Sequence, residues 1–71
     1  MALEVADFER RIRFLHGLAE EVRTIAEAMH DLDSRRTMRV IAASYERMAE
    51  HLEQAAEQLS LPVRPSPRLS R

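Results

Sequence analysis

The sequence has no cysteine, no lysine and no tryptophan, one glycine, and only three aromatic residues among its 71 positions. Without cysteine there is neither a disulfide framework nor a thiolate metal site. With few β-branched and aromatic residues and many Ala, Leu, Glu and Arg, sheets are disfavoured and helices favoured. A single glycine leaves no Gly-rich loop to cradle a phosphate, and no nucleophile elbow or Ser, His and Asp constellation is present. No apolar run approaches the roughly 18 residues of a membrane span. Met1-Ala-Leu-Glu4 lacks the basic and apolar regions of a secretory signal, so the cytoplasm is the expected compartment. A chain of this length builds one small domain at most.

Charge is abundant but unevenly placed. The formal net charge is -1, yet residues 61–71 carry Arg64, Arg68 and Arg71 with no acid. The remaining 8 Arg stand against 12 Asp and Glu in residues 1–60, a balance of -4. An acidic body argues against broad nucleic-acid binding, which needs a basic face.

Apolar residues at Phe8, Ile12, Leu15, Ala19, Val22, Ala26 and Met29 alternate steps of four and three, the spacing of one face of a helix. Leu18 and Ile25 widen that stripe. A second series runs Met38, Ile41, Tyr45, Met48, Leu52, Ala55, Leu59, with Ala42, Ala49 and Ala56 on its flank. Between the two, His30-Asp31-Leu32-Asp33-Ser34 breaks the pattern, and Asp31 or Asp33 suits the N-cap of the second helix. The pattern predicts a helix over about 5–30, a turn at about 31–33 and a helix over about 34–60. A break at Gly17, giving three short helices, is the alternative topology. Proline at 62, 65 and 67 stops the second helix near Ser60 and predicts a basic, Pro-rich disordered tail over 61–71. Pro62 to Pro65 also has the Pro-x-x-Pro spacing of a polyproline ligand.

Folding the chain back near residue 32 sets residues whose numbers sum to 63 or 64 opposite one another. Phe8 then meets Ala55, Ala19 meets Tyr45 and Ala26 meets Met38, large against small as close packing requires. Charges agree in this register: Arg10, Arg11 and Arg13 face the Glu46–Glu57 half of the second helix, and Glu27 faces Arg36. Such exposed pairs specify antiparallel orientation more than they stabilise it. The expected fold is therefore all-α, an antiparallel two-helix hairpin. Stripes three positions wide exceed what one helix-helix seam covers, which predicts self-association into a four-helix bundle, as a homodimer, through Leu18, Ile25 and the Ala42, Ala49, Ala56 ladder.

Chemistry-bearing residues are sparse. Glu27 and His30 form a Glu-x-x-His step, and His16 with Glu20 an i, i+4 pair; together they are the candidates for a metal- or ligand-binding bundle. Di-metal bundles need a second such step and further inward carboxylates, which the second helix lacks. His51 beside the seam is a candidate pH-sensitive interface residue. Tyr45 is the one seam residue with a polar atom, and Met29, Met38 and Met48 read first as core. No acid-base candidate sits where a pocket would perturb it, so catalysis is not expected and no cofactor is implied.

The block Asp33-Ser-Arg-Arg-Thr-Met-Arg-Val-Ile-Ala-Ala-Ser-Tyr-Glu-Arg-Met-Ala-Glu50, preceded by Ala19-Glu-Glu-Val-Arg-Thr-Ile-Ala-Glu-Ala-Met29, resembles a group of short uncharacterised helical-hairpin proteins of alphaproteobacteria, rhizobia among them. The likeness covers roughly residues 19–57. Many of that group have Asp-Pro at the turn, where this chain has Asp31-Leu32. The resemblance implies a helical hairpin and implies no activity. The reading that combines these observations is a non-catalytic interaction module that self-associates through helical faces and presents its remaining surface, or its Arg-rich tail, to an unidentified protein partner. The alternative is the small metal- or ligand-binding bundle.

Overall fold

A computed structural model describes residues 5–63. It is an antiparallel hairpin of two helices, α1 (Val5–Ala28) and α2 (Leu32–Gln58), packed against each other along their length. α1 runs unbroken through Gly17, whose Cα faces open space, so the three-helix alternative does not hold. Glycine there weakens the helix without ending it.

Each helix end has a visible cause. α1 closes at Ala28 with the Met29 N–H bonded to the Ala26 carbonyl at 3.1 Å. Asp31 is the N-cap of α2: its backbone is extended, and its carboxylate accepts the Ser34 N–H at 2.8 Å. The turn is thus 29–31 and α2 begins two residues before the expected 34, because the capping side chain is Asp31 and Asp33 lies inside the first turn. The Ser34 backbone N–H, and then the Ser34 side chain, hold the Asp31 carboxyl below its ordinary value of 3.8.

At its C-terminus α2 ends in a Schellman motif. The Leu61 N–H bonds the Ala56 carbonyl and the Ser60 N–H bonds the Glu57 carbonyl, both at 2.9 Å. Ser60 takes the left-handed conformation (φ 60°) that this motif usually gives to glycine. Leu61 and Val63 then line a small cavity with Ala56 and Glu57. The first residues of the segment expected to be disordered therefore rest against α2. Arg64, Arg68, Arg71 and the end of the Pro-x-x-Pro stretch lie outside the described residues, as does that part of the expected tail.

The seam itself departs from the sequence reading on one side only. α1 buries Phe8, Ile12, Ala19 and Ala26, with Leu15, Val22 and Met29 half-buried at the margin, as its spacing predicts. α2 buries Ala42, Ala49 and Ala56, at 1%, 0% and 1% exposure. The alanine ladder assigned to a second interface is thus the centre of the intramolecular seam. Met38, Tyr45 and Leu52 are half-buried beside it, while Ile41, Met48 and Leu59, expected in the seam, are exposed. Relative to expectation α2 is rotated by roughly 60°, a little over half the 100° step between successive residues. The physical reason lies in size matching. α1 supplies small side chains at Ala19 and Ala26, and small residues from α2 against them let the two backbones approach closely and gain dispersion contacts along the whole seam. The alignment is antiparallel and keeps the expected register only in part: Leu15 shares a groove with Met48 and Arg11 with Leu52, but Phe8 shares its hollow with Leu52 and not with Ala55, and the pairs His16–Glu53 and Arg23–Glu46 are offset from residues summing to 63 or 64.

Candidate interaction surface

Rotating α2 onto its alanines gives the hairpin two unlike flanks. On one flank His16 and Arg23 of α1 meet Glu46 and Glu53 of α2. Arg23 Nη2 donates to Glu46 Oε2 at 2.9 Å. His16 Nδ1 lies 3.0 Å from Glu46 Oε1, and His16 Nε2 lies 3.8 Å from Glu53 Oε2. The first of these is at ion-pair distance but is not aligned as a hydrogen bond. The imidazole and the Glu46 carboxylate are each only 16% exposed, so this is a half-buried polar cluster bridging the two helices. His16 lies in the N-terminal half of α1 but Arg23 in its C-terminal half, and neither is among the residues that the charge pattern set against Glu46–Glu57.

The other flank is apolar. Phe14 (64% exposed), Leu18 and Ile25 (47%) follow one another along α1 at steps of four and seven, and Ile41 and Met48 (46%) follow along α2. Between the helices a groove of about 450 Å³ is lined by Arg11, Phe14, Leu15, Met48, His51 and Leu52. A smaller hollow of about 60 Å³ continues it toward Asp7 and Phe8. Two of the expected self-association residues, Leu18 and Ile25, lie on this flank, and His51 stands at its edge. Ala42, Ala49 and Ala56 do not reach it. The sequence spacing leaves Phe14 off the α1 stripe and places Ile41 and Met48 in the seam, so it does not point to these three residues as a flank.

The four metal candidates are not brought together. His16 turns toward Glu46 and Glu53, whereas Glu20, Glu27 and His30 are exposed. α1 ends at Ala28, so the helical face that a Glu27-x-x-His30 step requires does not extend to His30. Among the described residues no group of three or more His, Cys, Asp or Glu is arranged to hold a metal ion. Nor is any helix among them long and apolar enough to cross a membrane. No family model matches this chain, and no curated protein or solved structure matches it either.

Proposed function

We propose that this protein is a non-catalytic interaction module that works by self-association, the apolar flank of the hairpin serving as its recognition surface and a second hairpin completing a four-helix bundle. One observation carries the reading: large apolar side chains, Phe14, Ile25 and Met48 foremost, stand exposed together on one flank, while the opposite flank is occupied by ion pairs. Singly exposed apolar residues are ordinary on protein surfaces, but a contiguous stripe of them running along both helices marks an interaction site. The half-buried His16 and Glu46 are engaged with each other and with Arg23 and Glu53 across the seam, which supports a binding rather than a catalytic role. The likeness of residues 19–57 to the alphaproteobacterial hairpin group is kept as a proposal about kinship and carries no activity with it.

Sedimentation of the full chain at micromolar concentration tests the reading. The expected mass is twice the 8.2 kDa of one chain. A monomer of 8.2 kDa across the concentration range contradicts it.

A further inference from the structure

Building on the self-association reading, on which it rests, we infer that assembly of this chain is controlled by protons through His51: two copies join while its imidazole is neutral and separate as it gains charge in mild acid. The flank fits a second copy in extent. Two helices form a single layer, whereas helical domains bury their stripes between two. A helix of 24 residues is about 36 Å long, and two helices side by side span about 20 Å, so the flank offers on the order of 700 Å². A standard stable interface buries about 800 Å² per partner.

The groove on that flank is lined by four apolar side chains, Phe14, Leu15, Met48 and Leu52, and by two others, Arg11 from α1 and His51 from α2; no carboxylate lines it. Along α2 the residues one turn from His51 are Arg47, Met48, Gln54 and Ala55, so its own helix offers it a cation and no acid. Across the groove, the residues one turn from Arg11 on its free-facing side are Asp7, Phe8, Phe14 and Leu15. Asp7 is the one acid among them, and its Oδ1 is already held by Arg10 Nη1 at 3.0 Å. The other two histidines stand apart: His16 faces Glu46 and Glu53 on the opposite flank, and His30 lies in the turn beyond α1. A neutral imidazole can be covered by apolar surface at modest cost, whereas an imidazolium covered beside a guanidinium loses water and gains only a like charge. Symmetry doubles the effect. A two-fold contact brings the same patch from both copies, so whatever the direction of the axis two Arg11 and two His51 enter the covered region. Assembly therefore opposes proton uptake at His51, and by linkage proton uptake opposes assembly. The sign follows: the dimer is at full strength above the pH range in which imidazole titrates and weakens as pH falls through it.

Sedimentation equilibrium at constant ionic strength, on the full wild-type chain and on His51→Gln at about pH 8 and about pH 5.5, tests this, with circular dichroism checking helicity at each pH. His51 is exposed in the single hairpin, so the substitution leaves the seam untouched. The expected result is a wild-type dimer whose Kd rises about tenfold to hundredfold toward the lower pH, the linkage of two protons excluded per dimer. His51→Gln, neutral throughout, should dimerise at both with a Kd that changes by less than about threefold. His51→Lys, charged throughout, should be as weak at the higher pH as the wild type is at the lower. A full pH dependence retained in His51→Gln, failure of that variant to dimerise at the higher pH, or a His51→Lys dimer as tight as the wild type overturns the role of His51. A wild-type Kd that stays constant or falls toward acid overturns proton control while leaving self-association in place. A wild-type monomer at both pH values overturns the two together.

Discussion

On one flank of the hairpin His16, Arg23, Glu46 and Glu53 pair across the seam; on the other, Phe14, Ile25, Ile41 and Met48 stand in solvent. Both flanks come from the same two helices and differ only in what lies on either side of the alanine ladder. On α2, Glu46 and Glu53 follow Ala42 and Ala49 at a spacing of four, one edge of the seam, while Ile41 and Met48 precede Ala42 and Ala49 by one, the other edge. The lesson is a division of roles. The charged flank ties the two helices to each other across the seam, and the apolar flank leaves large side chains exposed.

The largest expected effect separates the flanks by substitution. Met48→Glu places a charge in the proposed second core and should shift the chain from dimer to monomer in sedimentation, with helicity kept at concentrations where the hairpin persists. Arg23→Ala, on the other flank, removes a pair whose arginine is half exposed and should cost about 0–1 kcal/mol with the dimer intact. A dimer lost in Arg23→Ala and kept in Met48→Glu would reverse the assignment of the flanks.

A smaller effect sharpens the line between them. Ala49 is wholly buried in the seam, so Ala49→Leu should overpack it and cost about 1–3 kcal/mol in thermal or chemical unfolding. Ala55, one residue before the buried Ala56, is only half-buried. Ala55→Leu should change stability by much less, and a larger loss at 55 than at 49 would restore the seam first read from the sequence.

The two helices differ in how explicit their facing is in the sequence. α1 offers one series at alternating steps of four and three, and Phe8, Ile12, Ala19 and Ala26 are indeed its buried line. α2 offers two series one residue apart, Ile41, Met48, Ala55 and Ala42, Ala49, Ala56, both of helical period. Choosing the larger side chains for the seam follows from the gain per buried methylene. What decided the matter was the partner: Ala19 and Ala26 already sat at seam positions of α1, and alanine against alanine permits the closer approach. The same choice determines the polar cluster. Only with the ladder inward do Glu46 and Glu53 come beside His16 and Arg23, so the half-buried ion pairs were hidden until the facing of α2 was known. The N-cap was narrowed to two aspartates by sequence alone, but the C-terminal motif was not legible, because its left-handed position holds Ser60 where glycine is the usual signal.

Two local predictions bear on the ends of α2, where the flanks begin and end. Ser60→Gly removes the Cβ penalty of the left-handed conformation and should stabilise the hairpin by about 0.5–1 kcal/mol, measured as a rise in melting temperature. At the other end, the Asp31 carboxyl is ionised more readily in the folded chain than in the unfolded one, because the Ser34 N–H and side chain bond to it. Its contribution is therefore fully present above the unfolded value near 3.8 and is lost as pH falls through the lower folded value. Asp31→Asn keeps a capping oxygen without the titration and should flatten the loss of stability below about pH 4. An unchanged acid slope in that variant would show that the cap contributes nothing to it.

The central claim, that a second copy covers the apolar flank, is met most directly by an isotope-filtered nuclear Overhauser experiment on a mixture of labelled and unlabelled chains, which detects only contacts between copies. Phe14 and Met48 line one groove within the hairpin, and the filter separates that proximity from the contact in question. The account predicts cross-peaks between copies that start from the Phe14 ring, the Ile25 side chain and the Met48 methyl. Contacts between copies that involve His16 or Arg23 in their place, with Phe14 and Met48 still open to solvent, would contradict it.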